Sequence, residues 1–477
     1  MIVKICIAQP YVKPCDLAEN YKKILSFAEQ AYKAGANILL FPSDALTGKG
    51  LGALENQTDF RRDAANYRIR LQQLVKNRLQ IIFTDDYDFC GYRIQPKSLG
   101  ISVLGKIIKV SSGSSVILNG RGHAVIRARA FREDFLTVEL ETLSGEIKMS
   151  LPPAPLPKDI DFIYKQLYFG AKEFFNLAGI KKIVLGLSGG IDSAVVAALY
   201  CQILGAENVI AVNMPSKYNS EITQKIAGSI ANNLGCAYHI IPVTQGMQEL
   251  QTILAENKLT CSELTLENIQ ARERGARILA AVAAAQGAAV SCNSNKAELT
   301  VGYATFYGDL TGVLSIIGDL WKYQVYELGR YLNEQIYKSQ VIPEAAFQIR
   351  PSAELSEDQT VGNGGDPLYY PYHDYLFDAF TSGATPTKII QWYQDGVLEE
   401  KLGCRSGILD IIFKKEPAAF INDLEHWYNA YRGLSVAKRL QAPPIIAVSE
   451  NPFTFPEPQI GAYYSQQYKD IKNTLLQ

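Results

Sequence analysis

The sequence has few of the side chains that build metal clusters and almost no excess of charge of either sign. Its 4 histidines are isolated, and its 8 cysteines form no Cys-x-x-Cys pair. These spacings argue against a zinc site and are typical of reduced thiols in a cytoplasmic protein. Because the formal net charge is −1, no overall positive field would recruit nucleic acid or an anionic membrane.

Long hydrophobic runs are also missing. No stretch approaches the roughly 18 apolar residues that indicate a transmembrane helix, so we expect no membrane partner. Residues 1–8 are typical of a β-strand and not of a secretory signal peptide, and we expect a cytoplasmic location. With 477 residues, 47% of them hydrophobic, the chain is long enough for two or three globular domains.

The most informative segment is Leu185–Ser193, with the sequence Leu-Gly-Leu-Ser-Gly-Gly-Ile-Asp-Ser. Apolar residues before it favour a buried strand, and the Ala-rich segment 194–204 favours a helix. Glycines at a strand-to-helix turn let backbone N–H groups approach a phosphate, and Asp192 adds a carboxylate where a divalent cation would accompany it. No Gly-Lys-Ser/Thr follows, so this is not a P-loop. An ordinary glycine turn is the alternative interpretation.

This segment resembles the pyrophosphate loop of the ATP pyrophosphatases, which split ATP into AMP and pyrophosphate to adenylate a carbonyl oxygen. The loop alone does not distinguish NAD synthetases from GMP synthetases, asparagine synthetases or tRNA-thiolating enzymes. The resemblance implies that ATP is bound by the whole loop, namely Gly186, Leu187, Ser188, Gly189, Gly190, Ile191, Asp192 and Ser193.

Strand and helix patterns alternate from residue 182 to residue 256. This alternation predicts a doubly wound parallel sheet, a Rossmann-like α/β fold of the ATP pyrophosphatase type. Ligands of such sheets bind at the carboxyl ends of the strands, where the loop 186–193 and Met214 both lie. The segment Met-Pro-Ser at 214–216 resembles the family segment that lines the adenosine, which implies ATP binding by Met214.

Further blocks resemble NAD synthetases. Asn-Ile-Gln-Ala-Arg-Glu-Arg-Gly at 268–275 resembles the segment that contacts deamido-NAD and the neighbouring subunit, which implies contacts from Asn268 and Arg272. The block 293–309 resembles Asn-Lys-x-Glu…Gly-Tyr-x-Thr…Tyr-Gly-Asp. Within it, the resemblance implies ATP binding by Asn293, magnesium and deamido-NAD binding by Glu298, and a contact of Tyr303 with the nicotinate end.

Three later positions complete the resemblance. Lys322 matches a lysine that reaches the ATP phosphates, Ser352 matches the ATP contact in Pro-Ser-Ala-Glu-Leu, and Lys438 matches a deamido-NAD contact in Lys-Arg-x-Gln-Ala-Pro-Pro. The family's aspartate after Asp-Gln-x is replaced by Val361, and a glycine-rich tract follows. We interpret this tract as part of an altered lid over ATP.

Residues 1–149 predict a separate α/β domain, and the proline-rich segment 150–158 predicts a linker to a synthetase domain at 159–477. The phrases Ala-Gly-Ala-Asn-Ile-Leu-Leu-Phe-Pro at 34–42 and Ala-Leu-Thr-Gly at 45–48 resemble the start of a nitrilase-type amidohydrolase, and the stretch 111–140 resembles its end. In glutamine-dependent synthetases such a domain uses a Glu-Lys-Cys triad to release ammonia from glutamine. Ser43 stands where that glutamate would be, and most of the segment that carries the lysine and cysteine is missing. We do not expect Cys90 to be a nucleophile, so the domain resembles a truncated, degenerate copy.

The resemblance therefore implies an NAD⁺ synthase that amidates deamido-NAD⁺ with ATP and Mg²⁺, with Asp192 and Lys322 as catalytic residues and Asp192 and Glu298 as metal ligands. We expect ammonia, free or from a separate glutaminase, as the nitrogen donor, and a homodimer or higher oligomer. One alternative is a glutamine-dependent synthase with a non-standard or partner glutaminase. The others are a different ATP pyrophosphatase amidotransferase and a non-catalytic scaffold.

Overall fold

The computed structural model describes residues 1–75, 79–149, 153–157, 159–356, 365–452 and 460–477. The chain divides into two units, Met1–Phe174 and Phe175–Gln477. The predicted linker 150–158 lies partly outside the described residues, and so does the predicted lid, including Val361. The domain boundary at that linker stays a prediction. No helix in the described ranges combines the length and the apolarity that a bilayer crossing requires.

Helices and short strands follow one another in the first unit. In chain order they are β1 (Ile2–Gln9), α1 (Leu17–Lys33), β2 (Ile38–Phe41), α2 (Thr58–Leu74), β3 (Gln80–Phe83), β4 (Tyr87–Phe89), β5 (Tyr92–Gln95), β6 (Leu99–Leu104), β7 (Ile107–Ser112), β8 (Val116–Leu118), β9 (Ala124–Arg127), β10 (Asp134–Glu141) and β11 (Ile147–Met149). One sheet has the order β11-β10-β1-β2-β3, a second has the order β4-β5-β8-β9, and β6 pairs with β7 as a hairpin.

Alternating side chains of β1 and β2 separate two apolar layers in the first unit. Ile5 and Ile7 of β1 pack with residues of the second sheet, such as Ile117. Cys6 and Ala8, on the opposite face, pack with helix residues such as Ile24. This period of two is what a strand buried on both faces requires. At the start of α1 the side chain of Asp16 caps the helix by accepting from the N–H of Glu19 at 3.1 Å.

Helix α3 (Asp159–Ala178) crosses from the first unit into the second. The second unit continues with β12 (Ile183–Gly186), α4 (Ile191–Leu204), β13 (Val209–Asn213), α5 (Glu221–Leu234), β14 (Ala237–Ile240), α6 (Thr244–Glu256), α7 (Glu263–Arg272), a π-helical stretch (Glu273–Leu279), α8 (Ala280–Gln286), β15 (Ala289–Cys292), α9 (Lys296–Val301), β16 (Leu314–Ser315), α10 (Lys322–Tyr331), a second π-helical stretch (Leu332–Tyr337), α11 (Glu344–Gln348), α12 (Tyr370–Thr381), α13 (Pro386–Gln394), α14 (Leu398–Leu402), α15 (Ile408–Phe413), α16 (Pro417–Arg432), α17 (Leu434–Gln441), β17 (Ile445–Ala447) and α18 (Gln466–Leu475).

Six parallel strands of the second unit lie in the order β14-β13-β12-β15-β16-β17. From β12 the chain first moves outward through β13 and β14, and then returns to the other side through β15. The sheet therefore reverses its strand order beside β12, and such a switch point opens a crevice at the carboxyl ends of the strands. The predicted doubly wound parallel sheet is confirmed.

A helical layer with an aromatic core covers one end of the second unit. Its buried residues include Tyr372, Phe377, Phe420 and Trp427 from helices α12 and α16. Helix α9 also contributes Ala297 and Val301 to this core. The short helix that carries Glu298 is therefore held in place by packing on its other face.

Candidate active site

A cavity of about 580 Å³ opens at the carboxyl ends of β12, β13 and β15 in the second unit. Its lining includes every predicted ATP, deamido-NAD and metal residue except Gly189. Residues from 186 to 438 therefore meet in one place, although the individual roles assigned to them stay predictions.

The glycine turn after β12 is held by its own serines. Ser193 Oγ accepts from the N–H of Ser188 at 3.2 Å and donates to the carbonyl of Gly190 at 3.0 Å. Ser188 Oγ accepts from the N–H of Gly190 at 3.2 Å. Helix α4 begins at Ile191, directly after this turn. The first amides of a buried helix thus border the cavity, which is the arrangement that favours an anion.

Gly189 lies behind the turn and not in the cavity wall. Its φ of +95° belongs to the left-handed half of conformational space, and a Cβ there would lie 2.1 Å from the carbonyl oxygen of Thr223 in α5. Any side chain would push the turn away from α5. Glycine is therefore required for packing at this position.

The carboxylates of Asp192 and Glu298 flank one amide group. Asn295 Nδ2 donates to Asp192 Oδ1 at 3.1 Å and to Glu298 Oε1 at 2.9 Å. Asn295 Oδ1 accepts from the N–H of Glu298 at 3.1 Å, and Glu298 Oε2 accepts from the N–H of Asn295 at 3.3 Å, which completes a capping box at the start of α9. Asn295 was not among the predicted site residues, although Asn-x-x-Glu is a capping-box spacing.

Lys322 is buried at the first position of α10 and forms an ion pair with Asp192 Oδ2. Its ammonium nitrogen also lies 4.8 Å from the ring centroid of Tyr370. Burial alone would lower the pKa of Lys322, but the charges of Asp192, Glu298 and Asp366 outweigh burial and raise it. Lys322 therefore stays charged at neutral pH.

Burial is the main reason why the carboxyl groups of Glu298 and Asp366 in this site have raised pKa values. It raises the pKa of Glu298 well above its ordinary value, and the charge of Asp192 adds to the effect. Asp366 also has a raised pKa from burial, although Lys322 and a hydrogen bond from Tyr370 at 3.0 Å work against it. Asp366 was not among the predicted site residues, because a lone aspartate after a glycine-rich tract is not typical of any particular kind of site.

The predicted deamido-NAD residues surround the loop 302–309. Lys438 Nζ donates to the carbonyl of Gly302 at 2.7 Å, and Arg272 Nε donates to the carbonyl of Phe306 at 3.2 Å. Asn268 Oδ1 accepts from the hydroxyl of Thr305 at 2.9 Å. These contacts fix the loop against helices α7 and α17 and leave a polar wall on this side of the cavity.

The residues present fit a magnesium ion bound together with a phosphate chain. In the described part of the chain, no three His, Cys, Asp or Glu side chains form a group that could hold a metal alone. Mg²⁺ in nucleotide sites takes one or two carboxylates and completes its shell with phosphate oxygens and water. Asp192 and Glu298 would supply two carboxylates. The positive charge of a bound Mg²⁺ would counter the charge of Asp192, which after burial is the next cause of the raised pKa of Glu298.

The first unit differs at the positions where a glutaminase triad would be expected. Ser43 Oγ lies 2.9 and 2.8 Å from the two carboxylate oxygens of Asp85. Cys90 has a φ of +50° and forms, with Gly91, the turn between β4 and β5. Cys90 is one of the two residues that form this turn, so its position is explained by the hairpin and does not require a catalytic role.

Curated relatives match a little more than half of this chain. A protein named glutamine-dependent NAD(+) synthetase from Rhodobacter capsulatus is 34% identical over 289 residues, covering 58% of this chain and 51% of that protein. The protein of the same name from Aquifex aeolicus is 37% identical over 287 residues, covering 53% and 49%. The chain thus spans about half the length of the curated relatives it matches.

Solved structures share the fold of the chain. The glutamine-dependent NAD(+) synthetase from Cytophaga hutchinsonii has a TM-score of 0.72 at 15% identity and covers 100% of both chains. The glutamine-dependent NAD+ synthetase from Acinetobacter baumannii, solved with ADP, has a TM-score of 0.62 at 21% identity and covers 84% and 92%. At these identities the likeness establishes the fold alone, an α/β protein with a nitrilase-like unit before a Rossmann-like one.

The family described as NAD synthase matches by its sequence model over residues 163–401. That range is half of the 477 residues and contains most of the cavity lining. It includes the glycine turn, both carboxylates flanking Asn295, and Lys322. The chain therefore belongs to the NAD synthase family.

Proposed function

We propose that this chain is an NAD⁺ synthase, which converts deamido-NAD⁺, ATP and ammonia into NAD⁺, AMP and pyrophosphate. The observation that carries the proposal is the single cavity that joins the glycine turn, Lys322 and two close carboxylates to the polar wall of residues 268–309. An amidation through an adenylate needs this combination of a triphosphate site and an adjoining acid site. ATP use is also in line with the family of the chain.

In the first step, an oxygen of the nicotinate carboxylate forms a bond to the α-phosphorus of ATP. The bond from that phosphorus to the bridging oxygen breaks, and pyrophosphate leaves. The amides at the start of α4 and the ammonium of Lys322 face the growing negative charge, and both are fixed before the reaction begins. Preorganised positive groups of this kind lower the barrier without a covalent enzyme intermediate.

Asp192 and Glu298 would hold Mg²⁺, which when bound neutralises phosphate charge. The predicted contacts complete the proposal: Met214, Asn293 and Ser352 on the ATP side, and Asn268, Arg272, Tyr303 and Lys438 on the deamido-NAD side. Asn293 Nδ2 donates to the carbonyl of Gly186 at 2.8 Å, which supports a place for it beside the phosphate turn.

In the second step, the nitrogen lone pair of ammonia attacks the activated carbonyl carbon. The carbon–oxygen bond to AMP breaks, and the nitrogen gives up a proton. The first expectation was free ammonia or ammonia from another protein. The relatives named as glutamine-dependent favour the alternative, in which glutamine is the donor through a non-standard or partner glutaminase.

We favour a partner glutaminase over a non-standard one in this chain. Ser43 occupies the glutamate position and is held by Asp85, and Cys90 sits in a hairpin turn. We also propose that residues 1–149 act as a structural domain, and that the chain assembles as a homodimer or higher oligomer through the region of α7.

The test is an assay of the pure chain with ATP, deamido-NAD⁺ and either an ammonium salt or glutamine, with NAD⁺ and pyrophosphate measured separately. We expect both products with ammonium and neither with glutamine. Strong glutamine activity in the pure chain would locate a glutaminase within it. Pyrophosphate release with another acid, or no ATP turnover at all, would favour a different amidotransferase or a non-catalytic scaffold.

A further inference from the structure

Glu354 is a buried carboxylate of the cavity wall that the proposed mechanism does not use. Its residue is 4% exposed. Oε1 accepts from the N–H of Ser220 at 3.2 Å, and Oε2 accepts from Asn219 Nδ2 at 2.8 Å and from Thr223 Oγ1 at 3.0 Å. Both oxygens are occupied by protein donors, and their negative charge would repel a phosphate. Glu354 is therefore built to hold protein groups and not the anionic part of a substrate.

The first element held by Glu354 is the start of α5, which supports the phosphate turn. Ser220 is the N-cap of α5, and Thr223 lies in its first turn. The carbonyl oxygen of Thr223 is the atom against which Gly189 packs so closely that no Cβ fits. A shift of the start of α5 would therefore move the turn that carries the helix amides.

The second element is the strand end at Met214. Asn219 Oδ1 accepts from a terminal nitrogen of Arg274 at 3.1 Å, and Arg274 Nε donates to the carbonyl of Met214 at 3.1 Å. Burial lowers the pKa of Arg274 to about 10, and the charges of Glu354 and Asp309 work against this decrease. The guanidinium thus stays protonated, and Glu354 is connected through it to the predicted adenosine wall.

The backbone of Glu354 is itself held in an unusual conformation. Its φ of +47° lies in the left-handed region, which residues with a side chain adopt rarely and only where contacts impose it. In this conformation its N–H donates to Ser352 Oγ at 3.2 Å. The side-chain contacts of Glu354 therefore also fix the hydroxyl that is predicted to contact ATP.

From these contacts we infer that Glu354 is a positioning residue for ATP, which joins the phosphate turn, the Met214 segment and Ser352 into one nucleotide-binding surface. The inference rests on the proposed function, because it takes the cavity to be an ATP site. In the chain, Ser352 lies more than a hundred positions after the other two elements. The carboxylate of Glu354 is connected both to the phosphate turn, through the start of α5, and to the Met214 segment, through Asn219 and Arg274.

The test compares the wild-type chain with Glu354→Gln, which keeps the size of the side chain but replaces one acceptor by a donor. Binding of α,β-methylene-ATP with Mg²⁺ is measured by calorimetry, and kcat and KM for ATP are measured in the amidation assay. We expect Kd and KM to rise about tenfold, while kcat at saturating ATP falls by less than about threefold. A purely structural defect would reduce the active fraction, and so kcat, without changing Kd.

Two further variants serve as control and as second test. Glu344→Gln removes an exposed carboxylate of α11 that pairs with Arg330 at 3.5 Å, and we expect no change in Kd. Thr223→Val removes one donor to Glu354 and should raise Kd about threefold. Combined with Glu354→Gln it should add less than its full threefold loss, because both changes weaken contacts of the same side chain.

The outcomes separate this inference from the proposed function. A folded Glu354→Gln chain that binds the analogue like wild type overturns the positioning role. If that variant does not fold, Thr223→Val decides, and an unchanged Kd overturns the role in the same way. If the wild-type chain binds the analogue but never amidates deamido-NAD⁺, the proposed function fails, and the effect of Glu354 on Kd still supports the positioning role.

Discussion

The two units use their acidic residues in opposite ways. The described carboxylates of the first unit with a clearly shifted pKa all have a lowered one, namely Asp16, Glu29 and Asp134. Those of the second unit all have a raised one, namely Glu298, Asp309, Asp366 and Asp374. In the first unit the folded structure favours the charged form of these acids, and in the second unit it opposes that form.

The causes of the two shifts are different. The backbone N–H of Glu19 is the main reason that the pKa of Asp16 is lowered. For Asp134, burial would raise the pKa, but hydrogen bonds from Arg129 and the backbone outweigh it. In the second unit, burial is the largest cause of the raised pKa for all four acids. Three of the four, all except Asp374, line the cavity.

This contrast indicates which unit contains acidic side chains that serve a purpose other than stability. A buried acid that would prefer to be neutral costs folding energy, and such groups are concentrated at functional sites. The acids of the first unit cap helices and pair with basic residues at the surface. The same unit has Ser43 where a catalytic glutamate is expected. The contrast therefore points to chemistry in the second unit and a structural role for the first.

The strongest test of this contrast is to replace one carboxylate in each unit by the corresponding amide. In the second unit, Asp192→Asn removes a proposed metal ligand and the ion-pair partner of Lys322. We expect NAD⁺ formation to fall at least about a hundredfold, because charge on the phosphates is no longer balanced. Steady-state assays over a range of Mg²⁺ concentrations measure this loss, and circular dichroism checks the fold.

The matched control in the first unit is Asp85→Asn, which changes the partner of Ser43. Its activity should stay within about twofold of wild type, as for most surface substitutions. An active Asp192→Asn chain would remove the metal role from the second unit. A strong loss in Asp85→Asn would show that the first unit takes part in catalysis.

A second test uses stability. Asp374 Oδ2 accepts from the N–H of Tyr323, whereas Oδ1 is buried with no hydrogen-bond partner among the described residues. Burial raises the pKa of Asp374 from 3.8 to about 7. The folded protein therefore binds more protons than the unfolded chain between these values. The stability due to Asp374 is fully present below pH 3.8 and is lost as the pH rises through 7.

Asp374→Asn should consequently be more stable than wild type at pH 8, on the order of 2 kcal/mol, and no more stable at pH 4. Asp134→Asn in the first unit should behave in the opposite way. It should be less stable at pH 8, and the difference should disappear as the pH falls below the ordinary pKa of 3.8. Urea unfolding at pH 8, at pH 4 and at a pH below the lowered pKa of Asp134 measures both effects, and equal pH profiles for the two variants would contradict the contrast.

A third test concerns the amide between the two carboxylates. Asn295→Ala removes the amide that donates hydrogen bonds to both Asp192 and Glu298. The two carboxylates then lose the group that holds them in position. We expect the Mg²⁺ concentration for half-maximal activity to rise about tenfold, the effect of a lost supporting contact at a metal site. Calorimetric titration with Mg²⁺ and α,β-methylene-ATP gives a second readout. Asn257→Ala, at the exposed end of α6, is the control. Equal Mg²⁺ dependence in both variants would contradict a role for Asn295.

The sequence was sufficient for features that depend on local patterns. The strand before residue 186, the glycine turn and helix α4 follow directly in the chain, and their apolar runs and glycines identify them. The alternation after them predicted the parallel sheet, because each strand needs a crossover helix.

Features that depend on distant contacts were not predictable in this way. Asn295 meets Asp192 across 103 positions of sequence, and Glu354 meets Asn219 across 135. No local pattern encodes these pairs. Strands β4 to β7 were also missed, because strands of three to six residues with mixed polarity give little periodic signal. The family resemblance supplied the residues of the site, and the fold was needed to show which groups hold them.

The smallest expected effect tests the first unit directly. Cys90 and Gly91 form the two-residue turn of the β4–β5 hairpin, both with positive φ. Cys90→Ser should change the rate with ammonium by less than about twofold, and it should not alter the response to glutamine when a glutaminase from another protein is added. Serine keeps the size of the side chain but is a much weaker nucleophile than a thiolate. A selective loss of glutamine-dependent NAD⁺ formation would therefore identify Cys90 as a nucleophile, and the first unit would then be an active glutaminase of an unfamiliar kind.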